Sequence, residues 1–122
     1  MRIAGAAAAL SLLAGGAALA GGDVVRREGE CAGPGEWYLR VRRESATTIR
    51  IRFRIEYLHP GDSWQLFLSD NGTRVLASTK VVNADGEVHV GKITGDRSGT
   101  DHVKATGVNV TGSGSCDGAL AY

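Results

Sequence analysis

Arginine is the residue type in this sequence best placed to do chemistry. Arg40 and Arg42 alternate with Leu39 and Val41, and Arg50, Arg52 and Arg54 alternate with Ile49, Ile51, Phe53 and Ile55. In extended chain, successive side chains point to opposite faces, so the five guanidinium groups are expected on one outward face. Such forks donate paired hydrogen bonds to carboxylate, phosphate or sulfate. One reading is therefore an anion-binding surface for a wall polymer, a sulfated glycan or an acidic protein. The other is a solvated sheet face, neutralised across strands by Glu28, Glu30 and Glu56. Like charges directly opposite one another destabilise a sheet, so this second reading expects acids interleaved among the arginines. The chain's preference for arginine, eleven against three lysines, favours the plainer reading.

Other chemistry-bearing residues are dispersed. His59, His89 and His102 are far apart, and His89 and His102 alternate with valines, which directs them to water rather than to a metal. Asp96, Ser98, Thr100 and Asp101 match no calcium-loop spacing and read as turn residues. No Gly-x-Ser-x-Gly elbow marks a hydrolase nucleophile. Gly112-Ser113-Gly114 lacks the strand and helix that would make it a phosphate loop. Two sequons, at Asn71 and Asn109, are explained by a turn and a strand, and neither implies a glycan. Tyr38 and Phe67 are expected to face outward, a sparse platform for sugar stacking. No cofactor or metal is implied.

Cys31 and Cys116 are the only two cysteines, and an export signal decides how to read them. Met1 to Ala20 combines Arg2 with a long run of apolar and small residues, closing on Ala18-Leu19-Ala20. Cleavage after Ala20 is predicted, leaving one domain over residues 21–122. An uncleaved anchor is the alternative, but the run is mostly Ala and Gly. In an oxidising compartment the cysteines then form a disulfide. It closes a loop of about 86 residues, worth roughly 4–5 kcal/mol if it acts by constraining the unfolded chain. A redox pair would need Cys-x-x-Cys spacing or a cationic setting, and neither is present.

These residues must be positioned by strands, because no helical period follows residue 22. Thr48–Leu58 alternates without error, placing Ile49, Ile51, Phe53, Ile55 and Tyr57 on one face. Glu36–Arg43 pairs with it as a hairpin, with Trp37, Leu39 and Val41 inward. Weaker or shorter strands are expected at Val24–Cys31, Ser63–Ser69, Thr73–Val82, Glu87–Thr94 and His102–Thr111, and a last one carries Cys116. Asn71-Gly72 and Asp85-Gly86 mark reversals. In His102–Thr111 the apolar phase slips between Ala105 and Val108, which predicts a bulge near Gly107. Eight short strands form one core: an antiparallel, immunoglobulin-like β-sandwich, or alternatively a small closed barrel.

The order of several short motifs resembles a family of short secreted, uncharacterised β-sandwich proteins of high-GC bacteria. The motifs are Gly29-Glu30-Cys31, Trp37-Tyr38-Leu39-Arg40-Val41, Ile51-Arg52-Phe53-Arg54-Ile55, Trp64-Gln65-Leu66-Phe67-Leu68, Asn71-Gly72, Gly99-Thr100-Asp101 and Asn109-Val110-Thr111-Gly112 followed by Cys116. The resemblance implies a disulfide-pinned sandwich and supplies no activity. It departs at Arg50, Arg52 and Arg54, where the family carries acidic residues.

With 14 basic against 13 acidic residues, bulk charge nominates neither nucleic acid nor a membrane as partner. The resulting expectation is a secreted, non-enzymatic β-sandwich with no membrane span in its mature form, binding an anionic polymer or another protein. The alternative is an exported inhibitor of an extracellular hydrolase, presenting Gly95–Asp101 with Arg97 at its tip. A small hydrolase with an undisclosed site is the third expectation.

Overall fold

Alternation of apolar and polar residues, strictest in Thr48–Glu56, gives a strand one face to bury, and two such sheets bury their apolar faces against each other. The computed structural model describes residues 23–96 and 98–122, so the expected export signal and Arg97 lie outside the described residues. Eight strands follow in order: β1 (Val24–Glu30), β2 (Glu36–Arg43), β3 (Thr48–Glu56), β4 (Ser63–Asp70), β5 (Thr73–Val81), β6 (Val88–Gly95), β7 (His102–Asn109) and β8 (Ser115–Ala121). They make two four-stranded antiparallel sheets, β1-β2-β3-β6 and β5-β4-β7-β8. The arrangement is a sandwich rather than a closed barrel.

The first sheet contributes Leu39, Val41, Ile49, Ile51, Phe53, Ile55, Val88 and Val90 to the core. The second contributes Trp64, Leu66, Leu68, Val103, Ala105 and Leu120. Cys31 and Cys116 are bonded, 85 residues apart, and join the end of β1 to β8 across the two sheets. Beside them the Trp37 ring is held between two glycines. A Cβ on Gly29 would lie 2.8 Å from the indole, and one on Gly118 only 2.7 Å away. Glycine is required at both positions because the ring fills the space a side chain would take.

The structure corrects two expectations. Tyr57 does not continue the inward face of β3: the strand ends at Glu56, Tyr57 takes a φ of 64° and is 68% exposed. That reversal lets Leu58 turn into the core instead, where its amide donates to the Gly86 carbonyl at 2.9 Å. Nor does β7 carry a bulge near Gly107. Its register with β4 and β8 runs unbroken, so Gly107 and Asn109 face inward while Val108 and Val110 face solvent. The apolar phase slips because the core has no room at this point. A Cβ on Gly107 would meet Ile55 Cδ1 at 2.7 Å and Leu66 Cδ2 at 3.1 Å. The sandwich's irregularity lies elsewhere, between Leu68 and Ser69 in the β4–β5 pairing.

Candidate functional site

The outward face of the first sheet is ordered in rows, set by register. One row runs Arg26–Arg40–Arg52–Gly91 across β1, β2, β3 and β6. The row beside it runs Val24–Arg42–Arg50–Ile93, and on the other side lies Glu28–Tyr38–Arg54–His89. Glu30, Glu36 and Glu56 form a fourth row at the end of the face. Glu28 thus shares a row with Arg54, whereas the row Arg26–Arg40–Arg52 carries no acid. Alternation fixes which side a residue points to, whereas charge pairing across strands depends on a register that alternation leaves free.

The five predicted arginines divide into two kinds. Arg50 makes a two-pronged ion pair with Glu44, from Nε to Oε1 at 2.8 Å and from Nη2 to Oε2 at 3.1 Å. Arg42 Nη2 reaches the same carboxylate at 3.6 Å. Glu44 belongs to the short β2–β3 connection, and the hydrogen bonds from Arg50 hold its carboxyl below the usual range. Arg54 is bonded to Glu56 at 2.7 Å, and its guanidinium lies 4.6 Å from the centre of the Tyr38 ring. Tyr38 in turn donates to Glu36 at 2.8 Å, a bond that pushes its phenol up to about 12.

Arg40 and Arg52 have no carboxylate partner among the described residues, and neither does Arg26. These three stand directly opposite one another. Arg40, in the middle and half buried, is lowered from the ordinary guanidinium range by desolvation first, and then by the charges of Arg52, Arg26, Arg42 and Arg54. The row lies along a depression of about 660 Å³, whose walls include Glu28, Tyr38, Arg54 and His89. Gly91 carries no side chain into it. Arg26 was absent from the sequence-predicted set, although it shares the parity of Glu28 and Glu30 on β1. That shared parity was the signal available for finding it.

A second cluster lies at the β6–β7 end of the sandwich. Asp101, read from sequence as a turn residue, is fully buried, and Asp70 is 4% exposed. Asp101 Oδ1 accepts from Asn71 Nδ2 at 3.4 Å, while Asp101 Oδ2 and Asp70 Oδ1 are buried and accept from no donor N–H among the described residues. Burial, a hydrogen bond shared with Asp96 and the nearby Asp70 raise the Asp101 carboxyl to about 7. Asp96 is held low by that bond and by its ion pair with Arg43. Backbone bonds in both directions between Asp101 and Tyr122 pin the loop to the C-terminal residue. No group of three His, Cys, Asp or Glu side chains among the described residues is placed to hold a metal ion.

Asn71 and Asn109 have structural roles. Asn71 has a φ of 51°, and its Oδ1 accepts from the His102 amide at 2.8 Å. Asn109 is nearly buried: its Oδ1 accepts from the amides of Thr111 and Gly112, and its Nδ2 donates to Asp62 and the Ser113 carbonyl. Both sequon amides are thus engaged within the fold. His59, His89 and His102 are exposed, and Phe67 is covered by Arg74 at 4.3 Å from its centre. No helix among the described residues is long and apolar enough to cross a membrane. No protein-family model matches the chain, and no curated protein sequence is similar to it.

Proposed function

We propose that this is a secreted, non-enzymatic β-sandwich protein that binds an anionic partner through the outward face of β1, β2, β3 and β6. One observation carries this reading: three arginines stand directly opposite one another, without carboxylate partners among the described residues, along a depression. Such a row costs the sheet stability, since like charges facing each other across strands repel. An anion seated on it converts that repulsion into charge-assisted hydrogen bonds. The disulfide between Cys31 and Cys116 is compatible with an extracellular location. The immunoglobulin-like description belongs to the same proposal, supported by two antiparallel sheets packed face to face and by the disulfide that joins them.

Retention on immobilised heparin through a salt gradient tests the reading, with an Arg26→Ser, Arg40→Ser, Arg52→Ser triple variant alongside. With positive and negative charges nearly balanced, only segregated charge gives strong retention. Late elution of the native protein and early elution of the variant support an anion-binding face. Co-elution of the two forms ends the proposal.

A second reading, an exported hydrolase inhibitor presenting Gly95–Asp101, draws support from the anchoring of that loop. Asp96 is tied to Arg43 near its start, and Asp101 to Tyr122 at its end. Loss of serine-protease activity with the loop left uncleaved would favour it.

A further inference from the structure

We infer that Asp70, Asp96 and Asp101 form a proton-held latch at the β6–β7 end of the sandwich. With one proton shared among them, the latch clamps the β6–β7 loop and the C-terminal residue to the β4–β5 turn; when the proton leaves, the loop opens locally. Asp70 ends β4, and Asp96 and Asp101 bound the connection from β6 to β7. Asp101 is fully buried and Asp70 is 4% exposed. Each carries an oxygen, Oδ2 of Asp101 and Oδ1 of Asp70, that accepts from no N–H donor among the described residues. A buried carboxylate without a donor is strongly disfavoured, and taking up a proton both removes the charge and supplies the missing donor.

The cation in contact with the cluster is Arg43 of β2, and its guanidinium is taken by Asp96. Asp70 and Asp101 are left without a counter-charge among the described residues. The other groups around them bring no positive charge. They are the Asn71 amide, which donates to Asp101 Oδ1 at 3.4 Å, and the Tyr122 phenol, which donates to the Asp23 carbonyl, with the Asp23 carboxyl beyond it. His102, next along the chain, is exposed. A proton between Asp101 and its two acidic neighbours is therefore the neutralising partner. The rise of the Asp101 carboxyl to about 7, caused first by burial and then by Asp96 and Asp70, agrees with that geometry.

Three parts of the molecule meet at Asp101. Its amide donates to the Tyr122 carbonyl and its carbonyl accepts from the Tyr122 amide, both at 2.9 Å. Asn71 closes the other side: its amide donates to the His102 carbonyl at 2.9 Å, and its Oδ1 accepts from the His102 amide at 2.8 Å. Between Asp96 and Asp101 the described loop residues, Ser98, Gly99 and Thr100, are exposed. Freeing the loop breaks a few peripheral bonds and leaves the apolar core and the disulfide in place. Repulsion among three carboxylates is therefore relieved at lower cost by local opening than by unfolding. The latch is independent of the arginine face.

An opened Asp101 returns to the ordinary value of 3.8, so between that value and about 7 opening releases a proton. The open-to-closed ratio then rises about tenfold per pH unit from about pH 4 to about pH 7 and levels above it. The test is NMR-detected hydrogen exchange of the mature protein, read as protection factors so that the intrinsic pH dependence is removed. Between about pH 5 and about pH 7 the Asp101 and Tyr122 amides should lose roughly a hundredfold in protection. They should stay less protected than the Phe53 and Leu66 amides and be insensitive to low urea, the mark of local opening. Asp101→Asn should abolish the change, Asp70→Asn should shorten the window over which it occurs, and His102→Gln should leave it intact. If the Asp101 and Tyr122 amides are as protected as those of the core, the cluster opens only on global unfolding and the latch fails. It fails equally if protection is flat with pH, if either aspartate variant keeps the native profile, or if His102→Gln removes it. Recovery of protection with millimolar calcium above neutrality would make the pocket a cation site and overturn the proton-held latch.

Discussion

Replacing Asp101 with asparagine should abolish a pH dependence of stability that the buried aspartates impose. Asp101 is fully buried, faces Asp70 from β4 and Asp96 from its own loop, and has Arg43 and Tyr122 nearby. Its carboxyl titrates at about 7 in the fold, against 3.8 for a free aspartate, mainly because burial penalises the charged form. Between those two values the folded chain holds a proton that the unfolded chain has released. Stability is therefore full below the unfolded value and declines as pH rises through the folded one. A gap of about three pH units corresponds to roughly 4 kcal/mol lost between about pH 4 and pH 8. Asp96 and Glu44 are shifted downward, so their contributions are lost only below about pH 4, outside this window.

Asparagine is neutral at every pH, can still accept from Asn71 and can donate toward Asp96. Asp101→Asn should thus show a nearly flat profile and exceed the native protein's stability at about pH 8 by a few kcal/mol. Urea unfolding followed by the fluorescence of Trp37 and Trp64 reads this out. The native midpoint should fall by about 2 M between the ends of the window, for a slope typical of a small domain. Native stability that is flat or rising from about pH 5 to pH 8, or a variant that keeps the native slope, would refute the assignment.

The packing around Trp37 predicts that Gly118→Ala, and separately Gly29→Ala, costs about 1–3 kcal/mol through overpacking, measurable as a lowered melting temperature. Cys31→Ser should lower stability by about 4 kcal/mol, and a thiol titration of the native protein should find no free cysteine. Asn109→Ala removes acceptors for Thr111 and Gly112 and the bond to Asp62, so a loss of about 2–3 kcal/mol is expected in urea unfolding. A loss below about 0.5 kcal/mol would show that the Thr111–Ser113 turn holds without it.

Much of the sandwich was legible because its signals are local. Alternation in Glu36–Arg43 and Thr48–Glu56 places each side chain inside or outside with a period of two, whatever the partner strand. Asn71-Gly72 sits in the turn its positive φ angles demand, and two cysteines without competitors leave one pairing. The Gly107 expectation failed for a physical reason: inward positions were identified by apolar side chains, but the packed core leaves space there only for glycine.

The candidate site shows the same division. Sequence alone determined that Arg40, Arg42, Arg50, Arg52 and Arg54 share a face, because outward direction follows from parity. Only the tertiary structure decided that Arg26 joins Arg40 and Arg52 in a row, that Glu44 draws off Arg42 and Arg50, and that Asp101 is buried beside Asp70. Register, loop closure and burial depend on residues distant in sequence being brought together, and no local period encodes which of them will meet.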